Sequence, residues 1–184
     1  KAQMKAGGVT VLTGRGVIVG RQDDAFAMQV GEETVTGRNL LIATGSQPAV
    51  PPIEGLQDGL ARGFVLTNRE ILDLAEVPER LCVIGGGIIG LELASYFCSA
   101  GSQVSVVEML DHIAGETDQD LVGILKADMA KRGIRFELEA KVTAMEEHGV
   151  CYEQGGESHL IEADKVLLSI GRRANTRDIG LEAL

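Results

Sequence analysis

Gly85, Gly87 and Gly90 stand at the spacing G-x-G-x-x-G within Leu81-Cys82-Val83-Ile84-Gly85-Gly86-Gly87-Ile88-Ile89-Gly90. A short apolar run leads into them, and residues 88–100 follow as an amphipathic run with Gly101 just past its end. That order describes a strand, a glycine turn and a helix. Each glycine has its own task where such a turn meets a dinucleotide. The first permits the tight turn, the second lets the backbone approach a diphosphate, and the third lets the helix lie close on the strand. The start of the helix adds unpaired N–H groups and the positive end of its dipole, both of which attract phosphate. The chain has 24 glycines in 184 residues, so a chance match is easy and the flanking pattern has to carry the argument.

The second group with chemistry in it is a carboxylate. Residues 103–107 read as another strand, and it ends in Glu108, about 20 residues beyond the glycines, where an acid holds the ribose hydroxyls of an NAD adenosine. NADP carries a phosphate on that ribose. Two like charges about 4 Å apart cost roughly 1 to 4 kcal/mol, depending on the effective dielectric. No Arg or Lys occurs in residues 109–117 to receive such a phosphate. The expectation is NAD in preference to NADP. A ligand-free glycine turn and an ordinary strand-end carboxylate are the competing readings.

The remaining reactive side chains suggest less. Cys82, Cys98 and Cys151 show neither C-x-x-C nor metal-ligand spacing. Cys82 and Cys98 read as core thiols, and Cys151 flanks a turn where it can be exposed. Reduced thiols suit the cytoplasm. His112, His148 and His159 are scattered, and no metal site is expected. A net charge of −10 argues against nucleic acid or an anionic membrane as partner. No apolar run reaches the length of a membrane span and no signal peptide opens the chain. Lys1 falls inside what reads as a periodic segment, so the chain is expected to be a piece of a longer protein.

The elements that must position these groups follow from periodicity. Residues 1–7 read as the end of a helix. Short strands are predicted at 9–12, 16–19, 25–30 and 33–36, with turns between them. Residues 38–44 form an apolar run that reads as a buried parallel strand closed by Gly45. Pro48, Pro51 and Pro52 make the next stretch a linker. Residues 63–66 are extended. Thr67 and Glu70 then form a capping box for a helix over 68–74. Beyond the nucleotide strand and helix, residues 118–132 read as a helix with Leu121, Ile124, Leu125 and Met129 at core spacing. A strand over 134–138, a three-stranded meander (142–146, 150–153, 159–161) and a buried strand over 165–170 complete the series. The tail reads as irregular. Residues 8–45 and 133–171 share an order: Gly, strand, three short strands with polar turns, apolar strand, Gly. This suggests two related dinucleotide folds in tandem, the first without its front half.

Three motifs carry a resemblance. They are Leu40-Leu41-Ile42-Ala43-Thr44-Gly45-Ser46 with the prolines after it, the glycine turn with residues 104–108, and Ser169-Ile170-Gly171-Arg172-Arg173-Ala174-Asn175-Thr176. In that order and at those separations the chain resembles the flavin-dependent pyridine nucleotide–disulfide oxidoreductases. The resemblance implies an α/β class, a Rossmann-like FAD/NAD(P)-binding fold of parallel sheet, helices and three-stranded antiparallel meander. It implies that residues 1–50 belong to an FAD-binding domain, 51–63 to a linker, 64–176 to an NAD-binding domain and 177–184 to a return segment. It assigns Gly85, Gly87, Ile88, Ile89, Gly90, Glu92, Glu108, Met109, Val142 and Gly171 to NAD. Val142 lies near the adenine, and Ile89, Glu92 and Gly171 lie toward the nicotinamide. Thr44 and Gly45 go to FAD. Read from the sequence alone, Glu92 is equally a solvated first-turn acid and Val142 a core residue.

The resemblance further implies a parent enzyme that passes electrons from a dithiol, dihydrolipoamide above all, through a protein disulfide and FAD to NAD+, as a homodimer. An NADH oxidase, another disulfide reductase and a non-catalytic nucleotide-binding module are the alternatives. The family's C-x-x-x-x-C pair does not occur in this chain, and Ala174 stands where many relatives have Pro. The chain alone is therefore expected to bind NAD(H) without turnover. Its front segment is expected to expose apolar faces and self-associate.

Overall fold

A computed structural model describes residues 2–184, which divide into two compact units. One unit comprises Lys1–Gln47 with Ala174–Leu184, and the other Pro48–Arg173.

The first unit opens with α1 (Ala2–Ala6), followed by β1 (Gly16–Gln22), β2 (Ala25–Val30) and β3 (Glu33–Gly37). These strands form an antiparallel sheet in the order β1-β2-β3, with a bulge between Ile18 and Gly20. Its small core is Ile18 and Ala27. The tail returns to it as a 3-10 turn (Leu181–Ala183), and the Ile18 N–H donates to the Ile179 carbonyl at 2.8 Å. Two expected strands are absent from the described residues. Residues 9–12 are irregular and largely exposed. The apolar run 38–44 is also irregular, with Leu41 88% exposed. A strand buried on both faces needs parallel neighbours beside it. Among the described residues of this unit, the three-stranded ladder is antiparallel and does not receive residues 38–44. Apolar composition without a lateral partner leaves the run as coil.

The chain passes between the units in β4 (Ser46–Pro48) and again near its end. The second unit contains α2 (Leu56–Ala61), β5 (Val65–Leu66), β6 (Arg80–Ile84), α3 (Ile88–Ser99), β7 (Gln103–Val107), α4 (Gln119–Lys131), β8 (Arg135–Glu137), β9 (Lys141–Met145), β10 (Gly149–Gln154), β11 (Glu157–Glu162) and β12 (Lys165–Leu168), and closes in β13 (Arg172–Ala174). Five strands form a parallel sheet in the order β5-β12-β6-β7-β8. Strands β9, β10 and β11 form an antiparallel meander.

Strand β6 sits at the centre because both of its faces are apolar. Leu81 and Val83 join one buried cluster with Leu91, Ala94 and Phe97 of α3 and Val122 and Met129 of α4. Cys82 and Ile84 join the other, with Leu56, Met145, Val150 and Tyr152 from α2 and the meander. Full burial stabilises each larger side chain by roughly 1.5–3 kcal/mol, so this double coverage anchors the strand that carries the glycine turn. Burial also pushes the Cys82 thiol up to about 12.

Three local expectations need correction. Helix α2 lies inside the stretch read as a linker, with Leu56 fully buried against the meander side of the sheet. The capping box forms only in part. The Glu70 carboxylate accepts the Thr67 N–H at 2.9 Å and the Thr67 hydroxyl, which together hold its pKa below the usual carboxylate range. What it caps is a 3-10 turn (Glu70–Asp73) pinned by buried Ile71, in place of a longer helix. Helix α4 is present, with Asp118 accepting the Asp120 and Leu121 N–H groups, but its buried stripe is rotated. Val122 and Met129 face the sheet at 4% and 1% exposure, whereas Leu121 and Ile124 are 62% and 69% exposed. Two apolar stripes coexist on this helix. The buried one runs through Val122, the half-buried Lys126 and Met129, spaced i, i+4, i+7.

Candidate functional site

Strand β6 lies between β7, to which α3 connects it, and β12, which returns on its other side. The strand order therefore reverses at β6, and open parallel sheets bind ligands at the carboxyl ends of the strands at such a point. A cavity of about 820 Å³ opens there.

The glycine turn forms its floor. Gly85 has φ +103, and a Cβ on it would stand under 3.0 Å from the Ser169 carbonyl oxygen of the strand-end loop beyond β12. A Cβ on Gly90 would stand under 3.0 Å from the Gly85 carbonyl, so the helix can approach the turn only without a side chain there. Gly87 differs from both: a Cβ there would meet nothing within 4 Å, because that face is open to the cavity. Gly87 is also the N-cap of α3 and supplies no side-chain cap, so the first-turn N–H groups of the helix keep their capacity for a ligand.

Glu108 reaches this turn from the end of β7. Its carboxylate accepts the Gly86 N–H at 2.6 Å and, through the other oxygen, the Leu110 N–H at 2.9 Å. A carboxylate has about four lone-pair sites, so two remain for further donors. The side chain is half-buried and lines the cavity.

Of the expected nucleotide residues, Gly85, Gly87, Ile88, Ile89, Glu108, Met109, Val142 and Gly171 line this one cavity. Gly90 is buried beneath it as packing. Glu92 is exposed on α3 and is not among the lining residues. Thr44 and Gly45 belong to the first unit, where the Thr44 hydroxyl donates to the Asn175 carbonyl at 2.6 Å and the Asn175 N–H to the Gly45 carbonyl at 3.0 Å. Both are exposed, so by themselves they do not enclose a flavin.

The structure adds lining residues that spacing did not reveal. Pro48, Pro51 and Pro52 wall the cavity. Arg172 donates to the Asn68 side-chain carbonyl at 3.1 Å, and both residues line it. His112 and Lys141 line it near Glu108. The His112 Nδ1 pairs with Asp111 at 2.5 Å, and this contact holds the Asp111 carboxyl below its usual range. The Asp111–His112 dipeptide was a legible signal in the sequence. Lys141 was not, because only tertiary pairing brings residues 137–141 beside 108–110. Among the described residues no group of His, Cys, Asp and Glu could hold a metal.

These residues fit a dinucleotide: an open face over Gly87, an uncapped helix start beside it, and, bonded to the turn, a carboxylate with spare acceptor capacity.

The family described as pyridine nucleotide-disulphide oxidoreductase matches residues 1–184. A dihydrolipoyl dehydrogenase of Acholeplasma laidlawii is 37% identical over 181 residues, covering 98% of this chain and 52% of the relative. A dihydrolipoamide dehydrogenase of Chaetomium thermophilum is 39% identical, covering 98% of this chain and 36% of the relative. The chain thus spans about a third to a half of the length of these curated relatives. Among solved structures, LpdA from Mycobacterium tuberculosis superposes with a TM-score of 0.81 at 27% identity, over 100% of this chain and 41% of that one. The HOCl-induced flavoprotein disulfide reductase RclA from Escherichia coli gives 0.78 at 26% identity, over 95% of this chain and 39% of that one. The cofactors of this family are FAD and NAD. Matched from first residue to last, and folded as its solved relatives are, the chain belongs to the pyridine nucleotide–disulphide oxidoreductase family.

Proposed function

We propose that the unit Pro48–Arg173 binds NAD(H) in the cavity at the end of β6, as the nucleotide-positioning part of a flavin-dependent oxidoreductase of the dihydrolipoyl dehydrogenase type. The overall reaction would oxidise dihydrolipoamide to lipoamide and reduce NAD+ to NADH. One observation carries the reading: Glu108 is hydrogen-bonded to the glycine turn itself, so the ribose-binding acid and the diphosphate-binding backbone face one cavity. The Gly87 and Ile88 backbone and the α3 N-terminus would hold the diphosphate. Glu108 would accept from the ribose hydroxyls, with Met109 and Val142 against the adenosine. Ile89 and Gly171 would border the nicotinamide, and Glu92 would act at its edge. Bound there, the nicotinamide supplies the hydride acceptor for a reduced flavin.

The unit Lys1–Gln47 with Ala174–Leu184 would then be part of an FAD domain to which Thr44 and Gly45 contribute. The parent would work as a homodimer, and the cytoplasm is the compartment its three free cysteines suit. No helix among the described residues is long and apolar enough to cross a membrane. A disulfide reductase acting on another substrate is the second reading, favoured by the likeness to RclA.

Calorimetric titration with NAD+ and NADP+ tests the assignment. NAD+ is expected to bind one per chain. Glu108 faces the extra phosphate with like charge, so NADP+ should bind roughly ten- to a thousand-fold more weakly, and Glu108→Gln should narrow that gap. Equal affinity for the two nucleotides in the unaltered chain would remove Glu108 from the account. The sequence holds no C-x-x-x-x-C pair. With dihydrolipoamide, FAD and NAD+ the chain alone should therefore form no NADH above blank, and steady production would overturn that part of the reading.

A further inference from the structure

A lysine and a histidine that this reading leaves unused line the cavity. The segment after β7 runs beside the loop between β8 and β9. The Glu108 N–H donates to the Glu137 carbonyl, the Ala140 N–H to the Glu108 carbonyl and the Glu139 N–H to the Leu110 carbonyl, each at 2.9 Å. Lys141 is therefore the residue next to one held by the backbone of Glu108, and it lines the same cavity. It is exposed and makes no ion pair with another described residue. His112 lines this end too. Its Nδ1 faces the Asp111 carboxylate, which only accepts, so the proton sits on Nδ1 and Nε2 is the ring nitrogen left for a ligand. The carboxylates around Lys141 and His112 are Glu108, Asp111, Glu137, Glu139 and Glu153, the last directly opposite Lys141 in the β9–β10 ladder. Acids thus outnumber cations, which disfavours a phosphate here without forbidding it.

We propose that Lys141 is a specificity-determining cation that reads the 2′ position of the adenosine ribose. It offsets part of the repulsion between Glu108 and a 2′-phosphate, so that NADP(H) is a weak second ligand of the cavity. The inference rests on the cavity being a dinucleotide site. A lysine suits the task because its ammonium is a compact charge on a flexible stem, able to meet a phosphate without fixed geometry. The ribose hydroxyls of NAD take acceptors, which Glu108 supplies, so Lys141 has little to do for NAD.

The test is titration of the unaltered chain, Lys141→Met, Lys141→Arg and Glu108→Gln with NAD+ and with NADP+. Lys141→Met should weaken NADP+ by roughly tenfold and change NAD+ by less than about twofold. Lys141→Arg should retain NADP+ binding. Glu108→Gln should raise NADP+ affinity, and adding Lys141→Met to it should reverse the gain. Loss of both nucleotides equally, or of neither, on Lys141→Met would overturn the inference while leaving the dinucleotide site standing. Absence of NAD+ binding by the unaltered chain would overturn the site and the inference together.

Discussion

The three glycines of the turn are not equivalent, and single substitutions separate their tasks. Ala at Gly85 or Gly90 places a methyl under 3.0 Å from a backbone carbonyl, and at Gly85 also demands positive φ. Each should cost roughly 1–3 kcal/mol in urea unfolding. Gly87→Ala puts its methyl into open cavity at an ordinary extended φ of −73°. Its stability cost should stay below about 1 kcal/mol, the scale of an N-cap change, while NAD+ binding weakens at least tenfold by about the cost of blocked backbone approach. If Gly87→Ala unfolds the chain as readily as Gly85→Ala, the separation of tasks is wrong. Cys82 gives a second residue-scale test. Its thiol is fully buried and pushed up to about 12, so the folded state keeps the proton that the unfolded chain releases near the ordinary value of 9.0. This contribution to stability is present below that value and is lost as pH rises from there toward about 12. At pH 8 Cys82 should resist thiol reagents in the native chain and react in urea, whereas Cys151, which is only half-buried, should react more readily. Native reactivity of Cys82 equal to that of Cys151 would contradict the packing described.

At the scale of elements, the strand, turn and helix from residue 80 to residue 107 were readable because every local signal agreed: apolar run, glycine spacing, C-terminal glycine, second apolar run. The meander was readable from alternation and turn residues. The failures share a cause, which is that burial is decided by neighbours far along the chain. Residues 38–44 have the composition of a buried parallel strand and are coil. Helix α2 hides between prolines and glycines yet is fixed by Leu56 in the core. Helix α4 carries two apolar stripes, and its own sequence does not say which one meets the sheet. That last point is testable. Val122→Ala should cost roughly 1–2 kcal/mol and Asp118→Ala, which removes the cap, about 1 kcal/mol. Ile124→Ser, on the exposed stripe, should stay within about 0.5 kcal/mol. A larger effect at Ile124 than at Val122 in denaturant titrations would reverse the assigned face. The candidate site was legible where spacing along one strand–turn–helix defined it, at Gly85, Gly87 and Glu108. It was illegible where tertiary pairing defined it, at Lys141, at Arg172 with Asn68, and at the proline wall.

For the whole molecule, the family matches the full chain, which spans about a third to a half of the length of the curated relatives it resembles. Each of the two units carries a three-stranded antiparallel sheet, β1-β2-β3 in one and β9-β10-β11 in the other. Among the described residues, only the second has a parallel sheet beside it. The first leaves Leu41, Ile42, Val9 and Val11 exposed, and exposed apolar side chains of that kind favour association. The chain is expected to show concentration-dependent self-association by sedimentation, reduced by Leu41→Ser with Ile42→Ser. A monomer across a wide concentration range would count against it. The central claim remains the cavity at the end of β6. Its most direct test is the mapping of backbone amide NMR shifts during titration with NAD+. Saturable shifts should concentrate in residues 85–89, at 108–110 and at 142. Saturating NAD+ that leaves the glycine turn unmoved, or shifts confined to residues outside the cavity, would contradict it.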